Sequence, residues 1–117
     1  MREYSLYLQD IFNAMLAIEK FVEGMDFELF KNDDKTSSAV IKKFEIIGEA
    51  AKHIPEEIRN KYPQIKWKEM GGMRDRLIHF YFGIKYDLVW HTIKDIIPQV
   101  KPIIESIIKN IGEQKKP

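Results

Sequence analysis

The chain has 117 residues, 44% of them hydrophobic and 32% charged, with a formal net charge of +1. That is enough for one core and its surface and too little for two domains. The net charge is also too small for a protein that coats nucleic acid through bulk electrostatics, and the absence of cysteine excludes disulfides and thiolate metal sites.

Leu8, Ile11, Met15, Ile18 and Val22 step by three and four, so an amphipathic helix is expected from Tyr4 to about Val22. Gly24 suits its C-terminal stop. Residues 25–35 are polar and acidic without a clear period and read as a connection. Thr36, Ser37 or Ser38 can cap a second helix, with Val40, Phe44, Ile47 and Ala51 as its buried positions. Gly48, Ala50 and Ala51 are small there, so a neighbouring helix can come close. Ile54-Pro55 ends it and starts a short helical turn, Glu56 to Tyr62.

Pro63 interrupts again, and a third helix is expected from about Trp67 to Phe82, stopped by Gly83. Asp87 can cap a long final helix with Val89, Ile93, Ile96, Val100, Ile103, Ile107 and Ile111 as its apolar positions. Pro98 and Pro102 fall inside that pattern, and each should bend or split it. Residues 113–117 read as a frayed tail. The expectation is a single all-α domain over 1–117, a bundle of four main helices.

No apolar run approaches the ~20 residues needed to span a bilayer. Met1-Arg2-Glu3-Tyr4 lacks the basic and apolar regions of a secretion signal, so a cytoplasmic location is expected. Charge is unevenly distributed. Residues 1–34 carry three cations against eight acids, a sum of −5, whereas residues 59–76 carry six cations against two acids, a sum of +4. A solvated face would look the same, but the basic segment leads directly into Arg74-Asp75-Arg76-Leu77-Ile78-His79-Phe80-Tyr81.

That stretch holds the chemistry. A guanidinium can grip a phosphate by two hydrogen bonds, and an imidazole can pass a proton near neutral pH. Projected at about 100° per residue, Met70, Met73, Leu77 and Phe80 form a core stripe with Trp67 at its edge. His79 and Asp75, four apart, share the opposite face and can touch. Arg74 and His79 splay by about 140°, so one helix does not easily aim both at one phosphate. A two-fold dimer could face the arginine and histidine of one copy with those of the other. Gly71-Gly72 reads as a kink or a helix start, or as room for close approach beside the histidine. His53 and His91 have no matching partners and read as structural. The histidine spacing gives no transition-metal motif.

These residues match a known pattern: an arginine, four residues, a histidine, any residue and a tyrosine, here Arg74, His79 and Tyr81. With Ile46-Ile47-Gly48-Glu49-Ala50, Trp67, Gly72-Met73-Arg74, Phe82-Gly83-Ile84 and Val89-Trp90, the chain resembles the HepT-like proteins of the HEPN superfamily across most of its length. The family often has asparagine after the arginine, where Asp75 stands here. The resemblance implies a HEPN-like four-to-five-helix up-and-down bundle forming a two-fold dimer. It implies a toxin that cleaves RNA at the dimer cleft without a metal or other cofactor, with Arg74 and His79 catalytic and Asp75 supporting the imidazole. It also implies a partner, an MntA-like minimal nucleotidyltransferase antitoxin, that silences the toxin by transferring AMP to Tyr81. Two other readings fit the same residues. The chain could be a non-catalytic nucleotide- or substrate-binding subunit of a two-component nucleotidyltransferase, or an inert helical interaction module.

Overall fold

The computed structural model describes residues 2–79 and 83–114. Its elements in order are α1 (Tyr4–Phe21), α2 (Phe27–Asn32), α3 (Asp34–Lys52), α4 (Glu56–Lys61), α5 (Trp67–Gly71), α6 (Met73–Leu77), a two-stranded ladder of β1 (Ile78–His79) and β2 (Gly83–Ile84), α7 (Tyr86–His91), a π-helical turn (Thr92–Ile96) and α8 (Ile97–Gln114). Apart from the two-residue strands the architecture is all-α. Among the described residues no helix is long and apolar enough to cross a membrane.

The frame is α1 against α3, the most extensive contact between elements, with α8 on the other side of α1. Leu8, Ile11, Met15, Ile18 and Val22 are all buried, as are Val40, Phe44, Ile47 and Ala51, so the apolar period predicts both faces. Lys101 on α8 donates to Glu19 on α1 at 2.5 Å, partly sheltered, and ties these two helices. Gly24 takes φ +79° after α1, a conformation that costs glycine little.

The expected connection over 25–35 contains a helix. Asp26 caps α2 by accepting from the Leu29 N–H at 2.9 Å, and Phe30 is fully buried against Tyr86 and Trp90. One buried residue in six gives no period to read. The cap of α3 is Asp33, not Thr36, Ser37 or Ser38: its carboxylate accepts from both the N–H and the hydroxyl of Thr36. Ser37 is buried inside the helix, donating to the Asp34 carbonyl. At the other end of α3, Arg59 donates to the carbonyls of Ile54 at 2.9 Å and Ala51 at 2.8 Å. This member of the basic segment therefore closes a helix end.

The third helix does not run from Trp67 to Phe82. It breaks at Gly72, which ends α5 and starts α6, and α6 stops at Leu77. Ile78 is extended, with φ −121° and ψ 126°. The Leu77 carbonyl is taken by the Lys85 N–H at 2.8 Å, and Ile78 and His79 pair antiparallel with Ile84 and Gly83. The run Ile78-His79-Phe80-Tyr81-Phe82 is β-branched and aromatic and prefers pleated backbone. The predicted core stripe nevertheless holds where it is described: Trp67, Met70, Met73 and Leu77 are buried. Phe80 lies outside the described residues.

The final helix starts at Tyr86, with Asp87 in its first turn rather than at its cap; the residue before it, Lys85, is held by the ladder. The prolines leave their mark one turn early. The Ile97 N–H donates to the Thr92 carbonyl, a π-type bond, immediately before Pro98. Proline cannot donate to the carbonyl four residues back, and a widened turn accommodates this. Val89, Ile93, Ile107 and Ile111 are buried as the apolar period predicts, but between them the stripe shifts by one residue. Ile97 and Ile104 are buried to within 1% in place of Ile96 and Ile103, while Ile96 is 38% exposed.

Candidate nucleic-acid cleavage site

The site is built where α3 meets α5 and α6. A Cβ on Gly48 would stand 3.3 Å from the carbonyl oxygens of Met70 and Gly71, so glycine there lets α5 lie on α3 at its observed depth, where any side chain would push those carbonyls back by a few tenths of an ångström. This is the close approach that the small residues of α3 predict. It sets α6, and with it Arg74, at the edge of α3.

Arg74 reaches back across this junction. Its Nε stands 3.4 Å from Glu45 Oε1 on α3, and one terminal nitrogen is 3.7 Å from Asp75. The Arg74 side chain is 62% exposed and that of Asp75 88%, so the pairing holds the guanidinium without closing it off from solvent. Glu45, Gly48, Lys52, Gly72, Arg74 and Asp75 line a groove of about 160 Å³. Glu45 is the residue that sequence reasoning missed. It sits 29 positions before Arg74 and no spacing rule connects the two.

His79 stands two residues beyond the end of α6, exposed, on β1 opposite Gly83. The shared helical face expected for Asp75 and His79 is therefore absent, and so is the 140° splay between Arg74 and His79; both arguments assumed a helix through residue 79. Tyr81 lies outside the described residues. Gly83 takes φ +78°, which fixes the return of the ladder at a residue that tolerates it.

The other histidines have structural surroundings. His53 stacks on Tyr7 with ring centroids 4.5 Å apart, and Arg2 lies 4.7 Å from the centre of the Tyr7 ring. Asp10 holds the Arg2 guanidinium at 2.6 Å and raises its pKa further above its ordinary value. His91 meets Asp95 one turn on, Nδ1 to Oδ2 at 2.7 Å. Among the described residues no group of three or more His, Asp and Glu is arranged to hold a metal ion.

The ribonuclease HepT-like family model matches residues 11–107, which include the whole α3–α6 junction and the ladder. The chain belongs to this family. A candidate RNase of Methanocaldococcus jannaschii is 48% identical over 113 residues, covering 97% of both chains. A probable ribonuclease HepT of Thermococcus cleftensis is 45% identical, over 92% of this chain and 98% of that protein. A candidate RNase of Caldanaerobacter subterraneus is 40% identical, over 88% and 92%. No solved structure matches significantly. The all-α architecture of this HepT-like chain is that of a HEPN-like domain.

Proposed function

We propose that this HepT-like chain is the toxin of a toxin–antitoxin pair, an endoribonuclease that needs no metal. The observation that most supports this is the exposure of Arg74 and His79 on either side of the α6–ladder junction, within a chain of the ribonuclease HepT-like family. The RNA 2′-hydroxyl attacks the adjacent phosphorus, so that the O2′–P bond forms and the P–O5′ bond breaks. His79 takes the hydroxyl proton or returns one to the leaving 5′-oxygen, work worth roughly 10²–10⁴ in rate. Arg74, steadied through Nε by Glu45, turns its remaining N–H groups to the phosphate and the charge that grows on it. Asp75, 3.7 Å from a terminal nitrogen of Arg74, supports the site through the guanidinium rather than through the imidazole. Two copies related by a two-fold axis would supply one histidine as base and the other as acid.

Control follows from Tyr81. A minimal nucleotidyltransferase partner transfers AMP from ATP to its hydroxyl, the tyrosine O–P bond forming as the α–β phosphate bond breaks and pyrophosphate leaves, and the added phosphate brings negative charge and bulk that compete with RNA for Arg74. Intact mass after incubation with such a partner and ATP should rise by whole AMP units in the wild type and not in Tyr81→Phe.

The test of the nuclease is direct. Wild type should cut RNA to 2′,3′-cyclic phosphate and 5′-hydroxyl ends and leave DNA of the same sequence whole, since DNA has no attacking hydroxyl. His79→Ala and Arg74→Ala should each remove most of that activity. Cleavage of DNA, or undiminished RNA cleavage by His79→Ala, would reject the mechanism. RNA binding without any cleavage would favour a substrate-binding subunit.

A further inference from the structure

A second groove, of about 280 Å³, lies on the other side of α6. Its floor is apolar: Met70, Met73, Leu88, Ile96 and Val100. Its rim carries Lys66 and Arg76 together with the amides of Gln64 and Gln99. Arg74 and Arg76 are two residues apart on α6 and so project about 200° apart; each lines a different groove. His79 follows just past the end of the helix that separates them. A strand crossing that end would meet one arginine, the histidine and the other arginine in turn.

The π-helical turn forms the groove's far wall. By moving Ile97 into the core it leaves Ile96, an apolar side chain, at the surface and on the groove. Widened turns have weaker hydrogen-bond geometry and concentrate at functional sites. The floor's methionines are flexible and polarizable and can take a flat ring without demanding one shape. The rim cations suit a phosphate; Arg76 meets Glu69 at 3.6 Å but remains about half exposed. The volume falls just under the range of about 300–1,000 Å³ typical for whole drug-sized ligands, a size that suits one nucleotide.

We infer that this groove is the base subsite for a nucleotide flanking the scissile linkage, its ring on the Met70–Met73–Ile96 floor and its phosphate on Arg76 and Lys66. The inference rests on the nuclease reading above and adds where the strand lies and what selects the cut. Gln64 and Gln99 also line the groove; Gln99 Nε2 donates to the Asp95 carbonyl at 2.8 Å, which leaves its side-chain oxygen to accept from a base edge.

The test uses the full chain, with Ile96→Ser and Arg76→Ala, both at exposed positions, and Leu29→Ser on the exposed surface of α2 as the control. A labelled 2′-O-methyl oligonucleotide, which offers no attacking hydroxyl, reports binding by fluorescence anisotropy, and RNA of the same sequence reports cleavage. Ile96→Ser should weaken binding about tenfold, the scale of losing most of one buried aliphatic side chain. It should raise KM far more than it lowers kcat and change which linkages are cut, while Leu29→Ser matches wild type. Unchanged binding and an unchanged cleavage pattern in both groove variants overturn the subsite and leave the nuclease intact. A dimer lost by light scattering in Ile96→Ser, with an unaltered cleavage pattern, overturns it in favour of a contact between copies. Groove-dependent binding by a wild type that cuts no RNA sinks the nuclease reading and keeps the groove as a nucleotide site.

Discussion

The α1–α3 frame and the segment from Gly71 to Ile84 are built by different rules. In the frame each helix runs 18 or 19 residues, and burying one face of a long helix leaves few choices for which residues go inside. In the segment the chain changes from α5 to α6 to an extended ladder within fourteen positions. Among its described residues only Met73 and Leu77 are buried hydrophobics, and backbone hydrogen bonds and glycine conformations decide their path. The frame could accept many sequences of the same period. The segment could not, and it is where the charged and titratable groups of the motif are displayed. The buried core resides in one region and the exposed motif groups in the other, joined at the contact of Gly48 with the carbonyls of α5.

That division can be broken from both ends. Phe44 is 1% exposed in the frame. Phe44→Ala should cost about 3–5 kcal/mol, a large part of the ~5–15 kcal/mol that holds a domain of this size. The thermal midpoint should fall steeply, while RNA cleavage per folded molecule stays close to wild type well below that midpoint. His79→Ala should do the reverse, removing a factor of roughly 10²–10⁴ in cleavage and moving stability by no more than about 0.5 kcal/mol, as surface changes do. Melting curves and single-turnover rates on the two variants decide this. Equal loss of both properties in either variant would abolish the distinction.

Gly48→Val tests the joint between the regions. The added atoms meet two backbone carbonyls that have no rotamer to change, so α5 must shift. Overpacking of this kind costs about 1–3 kcal/mol. Because α6 follows α5 directly, cleavage should fall as well, beyond what lost folded protein explains. A fall in melting temperature with normal activity would mean that α6 is held in place by something other than this contact, with Arg74–Glu45 the next candidate.

The sequence makes the frame legible residue by residue because its signal is redundant: five apolar positions in α1 and four in α3 repeat at helical spacing. α2 is hidden because a single buried residue, Phe30, carries no period; only its caps, Asp26 and Asp33, announce it. The end of α6 is misread because Leu77 continues the stripe of Met70 and Met73, so the apolar spacing stays helical up to the residue where the backbone turns extended. The better signal was the β-branched and aromatic run after it, followed by Gly83. In the last helix the two prolines forecast a defect but not its form, since a π turn, a kink and a break all relieve the same missing hydrogen bond. The motif residues themselves were legible as residue types. Their arrangement was not, because Glu45 and the ladder are products of tertiary packing.

The smallest effect concerns Asp33, the one residue between α2 and α3. Its carboxylate accepts from the N–H of Thr36 at 3.0 Å and from its hydroxyl at 2.9 Å, and these bonds, the backbone one foremost, hold its pKa below the usual carboxylate range. A folded-state pKa below the unfolded one means that the charged form is favoured by folding. The resulting stability is therefore fully present at neutral pH, above the unfolded value. It is lost as pH falls through the unfolded and then the folded value. Asp33→Ala should lower the melting temperature by a few degrees at pH 7, and the gap to wild type should narrow steadily in acid. Asp33→Ser, which keeps an oxygen for the Thr36 N–H, should recover part of the loss and none of the acid dependence. A gap that stays constant from neutral to acid pH would mean that the cap works through the shape of its backbone, and the boundary between the two helices would then belong with the segment's rules rather than with the frame's.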